Sequence, residues 1–361
     1  MSYAFGNAFK VTIFGESHAS AIGITIDGIP AGTKIDMDEI QQSMKRRAPG
    51  AKAGSTSRKE PDKPQVMCGI LDGKTTGAPL TAIIKNKDTR SQDYEKTATL
   101  LRPGHADYTG YVKYNGANDF RGGGHFSGRL TAPLVFAGAL ARQWLAQKGI
   151  TIGAHIKTIA GVVDDDFPVI SQDALLQMEQ KKFPVVNDAS GKEMIRRIAK
   201  ASEEKDSVGG IIACAAIGLP AGLGEPFFDS VESLLAHMLF SIPAVKGLEF
   251  GSGFAVAGMA GSYANDCPVI ENGQIRFATN NNGGINGGIT NGMPLLFRVA
   301  VKPTPSIGKT QKTVDIEKRR ETEITIEGRH DACIVPRAVE VVKCAAAIVL
   351  MDLYLQNGRN L

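Results

Sequence analysis

The chain has 361 residues, 41 Lys+Arg against 37 Asp+Glu, 43% hydrophobic and 22% charged residues, a composition that can fill a packed core and excludes a disordered protein. No apolar run approaches the roughly 20 residues of a membrane span, and the N-terminal stretch lacks the charged-then-apolar pattern of an export signal, so the expected compartment is the cytoplasm. Five cysteines (68, 214, 267, 333 and 344) never form a C-x-x-C pair, which argues against a disulfide framework or a zinc site, and a formal net charge of +4 is too small to specify nucleic acid as partner.

Taken in chain order, Val11 to Phe14 and Ile22 to Ile29 read as strands, the second from the alternation of Ile22, Ile24 and Ile26. Asp36 to Arg47 reads as a helix with Lys45-Arg46-Arg47 in its last turn, where the helix dipole favours cations. Residues 48–63 form a basic loop rich in Pro, Gly, Ser and Lys, and residues 89–129 show little periodicity. A helix opens at Thr131 with Pro133 in its first turn. Strands are expected at 150–158, 210–219, 249–259, 295–301 and 322–327, and helices near 192–204, 230–240 and 335–355. The Asn/Gly-rich stretch 280–292 is expected to be a mobile loop. This pattern is mixed α and β, and one elaborated domain over residues 1–361 fits it best.

Familiar nucleotide signatures fail. Gly308-Lys309-Thr310 lacks the leading Gly of a P-loop because Pro303 stands there, and the Gly122–Gly124 run does not complete G-x-G-x-x-G because Ser127 holds the third position. Three other segments share one chemistry, a His in a turn beside ionisable residues: Gly15-Glu16-Ser17-His18, Arg102-Pro103-Gly104-His105-Ala106-Asp107 and Gly328-Arg329-His330-Asp331. Two imidazoles in one pocket could divide proton donation between different acceptors. The Gly-rich run before the Thr131 helix offers unpaired N–H groups to an anion.

Eight strings in order then resemble the chorismate synthase family: Phe14-Gly15-Glu16-Ser17-His18, Asp27-Gly28-Ile29-Pro30, Arg90-Ser91-Gln92-Asp93-Tyr94, Arg102 to Tyr108, Phe120-Arg121-Gly122-Gly123-Gly124, Ala244-Val245-Lys246-Gly247, Lys302-Pro303-Thr304 and Gly328-Arg329-His330-Asp331. The resemblance spans nearly the whole chain. It implies a lyase of the shikimate pathway that removes phosphate and a C6 hydrogen from 5-enolpyruvylshikimate 3-phosphate by anti-1,4-elimination, giving chorismate. It also implies reduced FMN without net redox change, with NADPH or a separate flavin reductase as the source of electrons. The implied fold is an α+β β-α-β sandwich whose antiparallel sheets are enclosed by helices, assembled as a homotetramer.

Carried over by motif, His18 is implied as an acid toward the flavin, His105 as an acid toward the leaving phosphate, and Asp331 as the residue that helps the flavin N5 proton move. Ser17, Arg47, Arg129 and Arg337 are the implied substrate-binding residues. His125, Phe126, Ser127, Ala244, Gly287, Lys302, Pro303, Thr304, Pro305, Ser306 and Arg329 occupy the implied flavin-binding positions, and no metal is implied. The sequence departs from the family pattern at His125 and at Arg129-Leu130-Thr131, where the family often has Arg and Arg-Glu-Thr, and at Pro243, where it often has Asn. The residues alone also suit a flavin oxidoreductase with net hydride transfer, or a polyanion-binding protein using the basic loop.

Overall fold

The structure is a computed structural model and describes residues 3–50, 53–55, 60–87, 98–326 and 330–357. Two antiparallel five-stranded sheets face one another across a layer of helices. The first has the spatial order Ala4–Phe5, Lys10–Gly15, Ala21–Asp27, Leu80–Lys85, Gln65–Cys68, and the second Val245–Phe250, Leu295–Val301, Gly210–Ile217, Thr151–Ile159, Val162–Val163. Alternation in the first sheet works as read: Ile22, Ile24 and Ile26 are buried, while Thr25 on the other face bonds Thr81 across the strands.

Two helices fill the space between the sheets. Thr131–Ala146 packs on strands of the first sheet, Val335–Asn357 on strands of the second, and the two pack on each other. Both are apolar nearly all round, as a helix buried on every side must be. They cross most closely at Gly138, where a Cβ would lie 2.3 Å from both the Cβ and the backbone oxygen of Cys344. The expected α+β sandwich of antiparallel sheets and helices is therefore met. Helices Gln172–Gln180 and Asp188–Glu203 pack against the second sheet, whereas the main helical layer is internal because those two segments have no polar face to turn outward. The buried apolar side chains form one cluster running from Phe9 to Leu353.

Two polar details aim the elements that carry the site. Asp36 caps helix Met37–Arg47 by accepting from the backbone N–H groups of Asp38 and Glu39. The Gln143 carboxamide then accepts from the Asp36 N–H at 2.9 Å and donates to its carbonyl at 2.8 Å, so the start of that helix is fixed on the central one. Residues 249–259, expected as a strand, are instead a strand end at Phe250 followed by a 3-10 turn over Gly253–Gly258. The 280–292 stretch is also not a loose loop. Asp266 accepts from the N–H groups of Asn281 and Asn282, and Ile285–Asn286 pairs with Ile289–Thr290 in a small hairpin.

Candidate active site

A cavity of about 830 Å³ opens between the first sheet, the central helices and the loops that precede them. Its volume falls in the range of about 300–1,000 Å³ typical of small-molecule sites. Its lining combines apolar side chains, among them Phe5, Val11, Ile13, Leu134, Met238 and Val341, with His105, His125, Lys302, Arg47, Arg129 and Arg337.

His105 is held by its own turn. Its Nδ1 lies 2.6 Å from Asp107 Oδ1, and Arg102 grips the same carboxylate through Nε at 2.8 Å and Nη2 at 2.6 Å. Burial alone would raise the Asp107 carboxyl, but the hydrogen bonds from His105 and Arg102 outweigh it and hold the group well below the usual carboxylate range. With Nδ1 spent on Asp107, Nε2 is the nitrogen left for chemistry, and it faces Gly123, whose Cβ would lie 3.2 Å away. Residues Gly122, Gly123 and Gly124 have φ of 60°, 85° and 52°. A Cβ on Gly122 would meet the His18 ring at 2.3 Å and Ser17 Oγ at 2.9 Å. The two histidines thus sit on either side of a backbone that only glycine can supply.

The arginines form a second group. Arg47 donates from Nη1 to Asp62 Oδ2 at 2.8 Å, from Nε to Thr131 Oγ1 at 3.1 Å and from Nη2 to the Gly128 carbonyl at 2.7 Å. Arg129 donates from Nη1 to the other Asp62 oxygen and from Nε to Asn86 Oδ1. Arg337 donates from Nε to the Arg47 carbonyl and from Nη1 to Asp331 Oδ2 at 2.7 Å. Burial pulls the Arg47 guanidinium down to about 10, with Asp62 opposing, so it remains charged at neutral pH.

The cavity wall gathers most of the residues expected from sequence: His105, His125, Phe126, Ser127, Ala244, Lys302, Thr304, Pro305, Ser306, Asp331, Arg47, Arg129 and Arg337. His18 and Ser17 are buried one layer behind it, against Gly122. Pro303 is exposed and off the wall. Gly287 stands between the paired strands of the 285–290 hairpin, away from the cavity, because Gly288 and Thr290 bond that hairpin to Val231 and Leu223 instead. Arg329 and the segment 90–94 lie outside the described residues. The sequence reading assigned no role to Asp62, Asp107 or His237. An H-x-D spacing at the start of a helix could have singled out Asp107; nothing marks Asp62, one acid in a basic loop, before the chain is folded.

The family described as chorismate synthase matches residues 9–355 of this chain. The chorismate synthase of Dehalococcoides mccartyi is 48% identical over 358 residues, covering 99% of this chain and 98% of its own. That of Archaeoglobus fulgidus is 46% identical over 357 residues, covering 98% and 97%. A crystal structure of chorismate synthase superposes with a TM-score of 0.76 at 28% identity, covering 98% of this chain and 93% of the other.

Proposed function

The chain belongs to the chorismate synthase family, and from that premise we propose that it converts 5-enolpyruvylshikimate 3-phosphate to chorismate by anti-1,4-elimination of phosphate, using reduced FMN. The observation that carries the reading is the convergence of His105 with Arg47, Arg129 and Arg337 on one cavity that also has apolar lining. A phosphate and two carboxylates on one small substrate need cations, and a flat aromatic cofactor needs apolar surface.

The residues present fit a flavin phosphate and ring. Thr304 Oγ1 is a buried hydroxyl with no hydrogen-bond partner among the described residues, on the wall beside Lys302 and Ser306. When bound, the reduced flavin supplies electron density that assists departure of the allylic phosphate and recovers it as the C6 hydrogen leaves. In this reading Lys302, Thr304, Ser306, His125 and Ser127 hold the cofactor. His105 donates a proton from Nε2 to the leaving phosphate while Asp107 keeps its ring in place. His18, seated against Gly122 one layer behind the cavity wall, is the acid toward the flavin, and Asp331, fixed by Arg337, moves the proton at N5. Arg47, Arg129 and Arg337 bind the substrate anions.

We also propose a single domain that assembles as a homotetramer in the cytoplasm. Phe227 and Phe228 are 90% and 89% exposed, and Phe254, Tyr263, Ile270 and Ile275 add to an outward apolar surface that self-association would cover. Among the described residues no helix is long and apolar enough to cross a membrane. Anaerobic assay with substrate, FMN and dithionite should yield chorismate without consuming one reducing equivalent per turnover; stoichiometric consumption would instead show a flavin oxidoreductase. Turnover with NADPH and FMN alone would mark a chain that reduces its own flavin, and turnover only with dithionite would assign that step to a separate reductase. Analytical ultracentrifugation tests the tetramer.

A further inference from the structure

We infer that Asp62 is a positioning residue of the anion site: its carboxylate sets Arg47 and Arg129 side by side so that both guanidiniums face the cavity. The inference rests on the reading above, in which those arginines bind the substrate's anionic groups. The three residues come from separate places, the end of helix Met37–Arg47, a loop, and the turn before Thr131, so only the folded chain joins them. Each carboxylate oxygen takes one arginine, Oδ2 from Arg47 Nη1 at 2.8 Å and Oδ1 from Arg129 Nη1.

The placement separates a positioning role from a binding one. Asp62 is 1% exposed and is not on the cavity wall, whereas both arginines are. The carboxylate therefore stands behind them. A guanidinium has five N–H donors; Asp62, Thr131 and Gly128 take three of Arg47's, leaving two to serve an anion. Two adjacent guanidiniums repel in a poorly solvated site, and a carboxylate between them offsets that repulsion. Burial would raise the Asp62 carboxyl, yet Arg47 and Arg129 more than compensate and hold it below its ordinary value, so the clamp is charged at neutral pH. Asp62 also sits at φ of 43°, a left-handed conformation that non-glycine residues adopt at a cost. The backbone thus bears strain at the residue that aims the carboxylate between two arginines.

Asp62→Asn is the informative variant, because Asn tolerates left-handed φ and keeps the shape while removing the charge. With substrate, FMN and reductant under anaerobic conditions, we expect KM for 5-enolpyruvylshikimate 3-phosphate to rise by about 10- to 100-fold, kcat to fall by less, and FMN affinity to stay within about 3-fold. Asp62→Glu, which keeps the charge, should recover part of the KM, and it gives a second reading should the Asn variant fold poorly. A KM within about 2-fold of wild type overturns the inference. So does a KM that falls, which would make Asp62 a competitor of the substrate, and so does a joint collapse of KM, kcat, FMN affinity and melting temperature in both variants, which would mark a purely structural role. Arg47→Met and Arg129→Met are the controls: if neither raises KM, the reading of the arginines has failed, independently of Asp62.

Discussion

Arg46 and Arg47 are neighbours on one helix and enter two different clusters of buried charge. Arg46 Nε meets Glu340 at 2.9 Å; Lys343 meets Glu340 at 2.9 Å and Glu179 at 2.7 Å; and Arg142 pairs with Glu179. That cluster locks four helices together and stands off the wall of the candidate site. Arg47 turns the other way, to Asp62, and its neighbours Arg129 and Arg337 reach the cavity wall. The first cluster holds its charges with protein partners, and the second leaves donors for a ligand. Similar charge chemistry serves stability in one case and binding in the other, so what a charged side chain faces decides its role.

Variants that touch one cluster and spare the other test this division. The largest effect is expected in the catalytic group: His105→Ala should lower turnover by about 10²- to 10⁴-fold in single-turnover phosphate release with the melting temperature nearly unchanged. His18→Ala should also slow turnover, and if both variants turn over at nearly wild-type rate, the acid assignments are wrong.

In the structural cluster, Glu340→Leu leaves Arg46, Arg142 and Lys343 with one fewer carboxylate. It should cost about 3–5 kcal/mol in denaturant melts, while KM per folded molecule shifts by less than about 3-fold. A large KM change would show that the two clusters are not separable. Asp331→Asn should slow turnover by about 10²-fold and leave FMN and substrate affinities within several-fold. Undiminished phosphate release in that variant would assign Asp331 only to holding Arg337.

The smallest effect is the shared response to acid. Burial would raise the Glu340 carboxyl, but Lys343, Arg46 and Arg142 hold it well below its ordinary 4.5, and Asp62 is held below its ordinary 3.8. Folded values below the unfolded ones mean that this stability is complete above about pH 4.5 and is lost as pH falls through the depressed values. Melting temperature should therefore fall below about pH 4, and less steeply in Glu340→Leu than in wild type. Equal slopes would remove Glu340 from the account.

Local pattern made much of this fold legible before folding. The strand at Leu295–Val301 has the expected bounds, helix Met37–Arg47 begins one residue after the expected Asp36, and the Thr131 helix starts where its Pro133 places it. Strands Gln65–Cys68 and Leu80–Lys85 are not expected from pattern because the first is mostly exposed and the second is a short apolar run that periodicity alone does not assign. Helix Asp107–Lys113 was hidden by glycine and aromatic residues inside a segment read as loop. At the site, turn chemistry pointed to His18, His105 and the Gly122 run. Asp62 is different: its meaning lies wholly in two partners 15 and 67 residues away. The layer order came only with the family resemblance, since an apolar helix read by itself is compatible with a filling or a cover until the sheets are known.

That layer order governs how the molecule can be made. Helix Val335–Asn357 follows in sequence every strand it packs against, and its Asp352 accepts the backbone N–H groups of Asn7, Ala8 and Phe9 at 2.7–2.9 Å. On the ribosome, the inner face of the second sheet stays uncovered until this helix emerges, and the earliest segment waits for one of the latest. Contacts so distant in sequence close slowly, and exposed apolar strands aggregate while they wait. The nascent chain is therefore expected to depend on a holding chaperone for most of its synthesis, and to leave it in one late step.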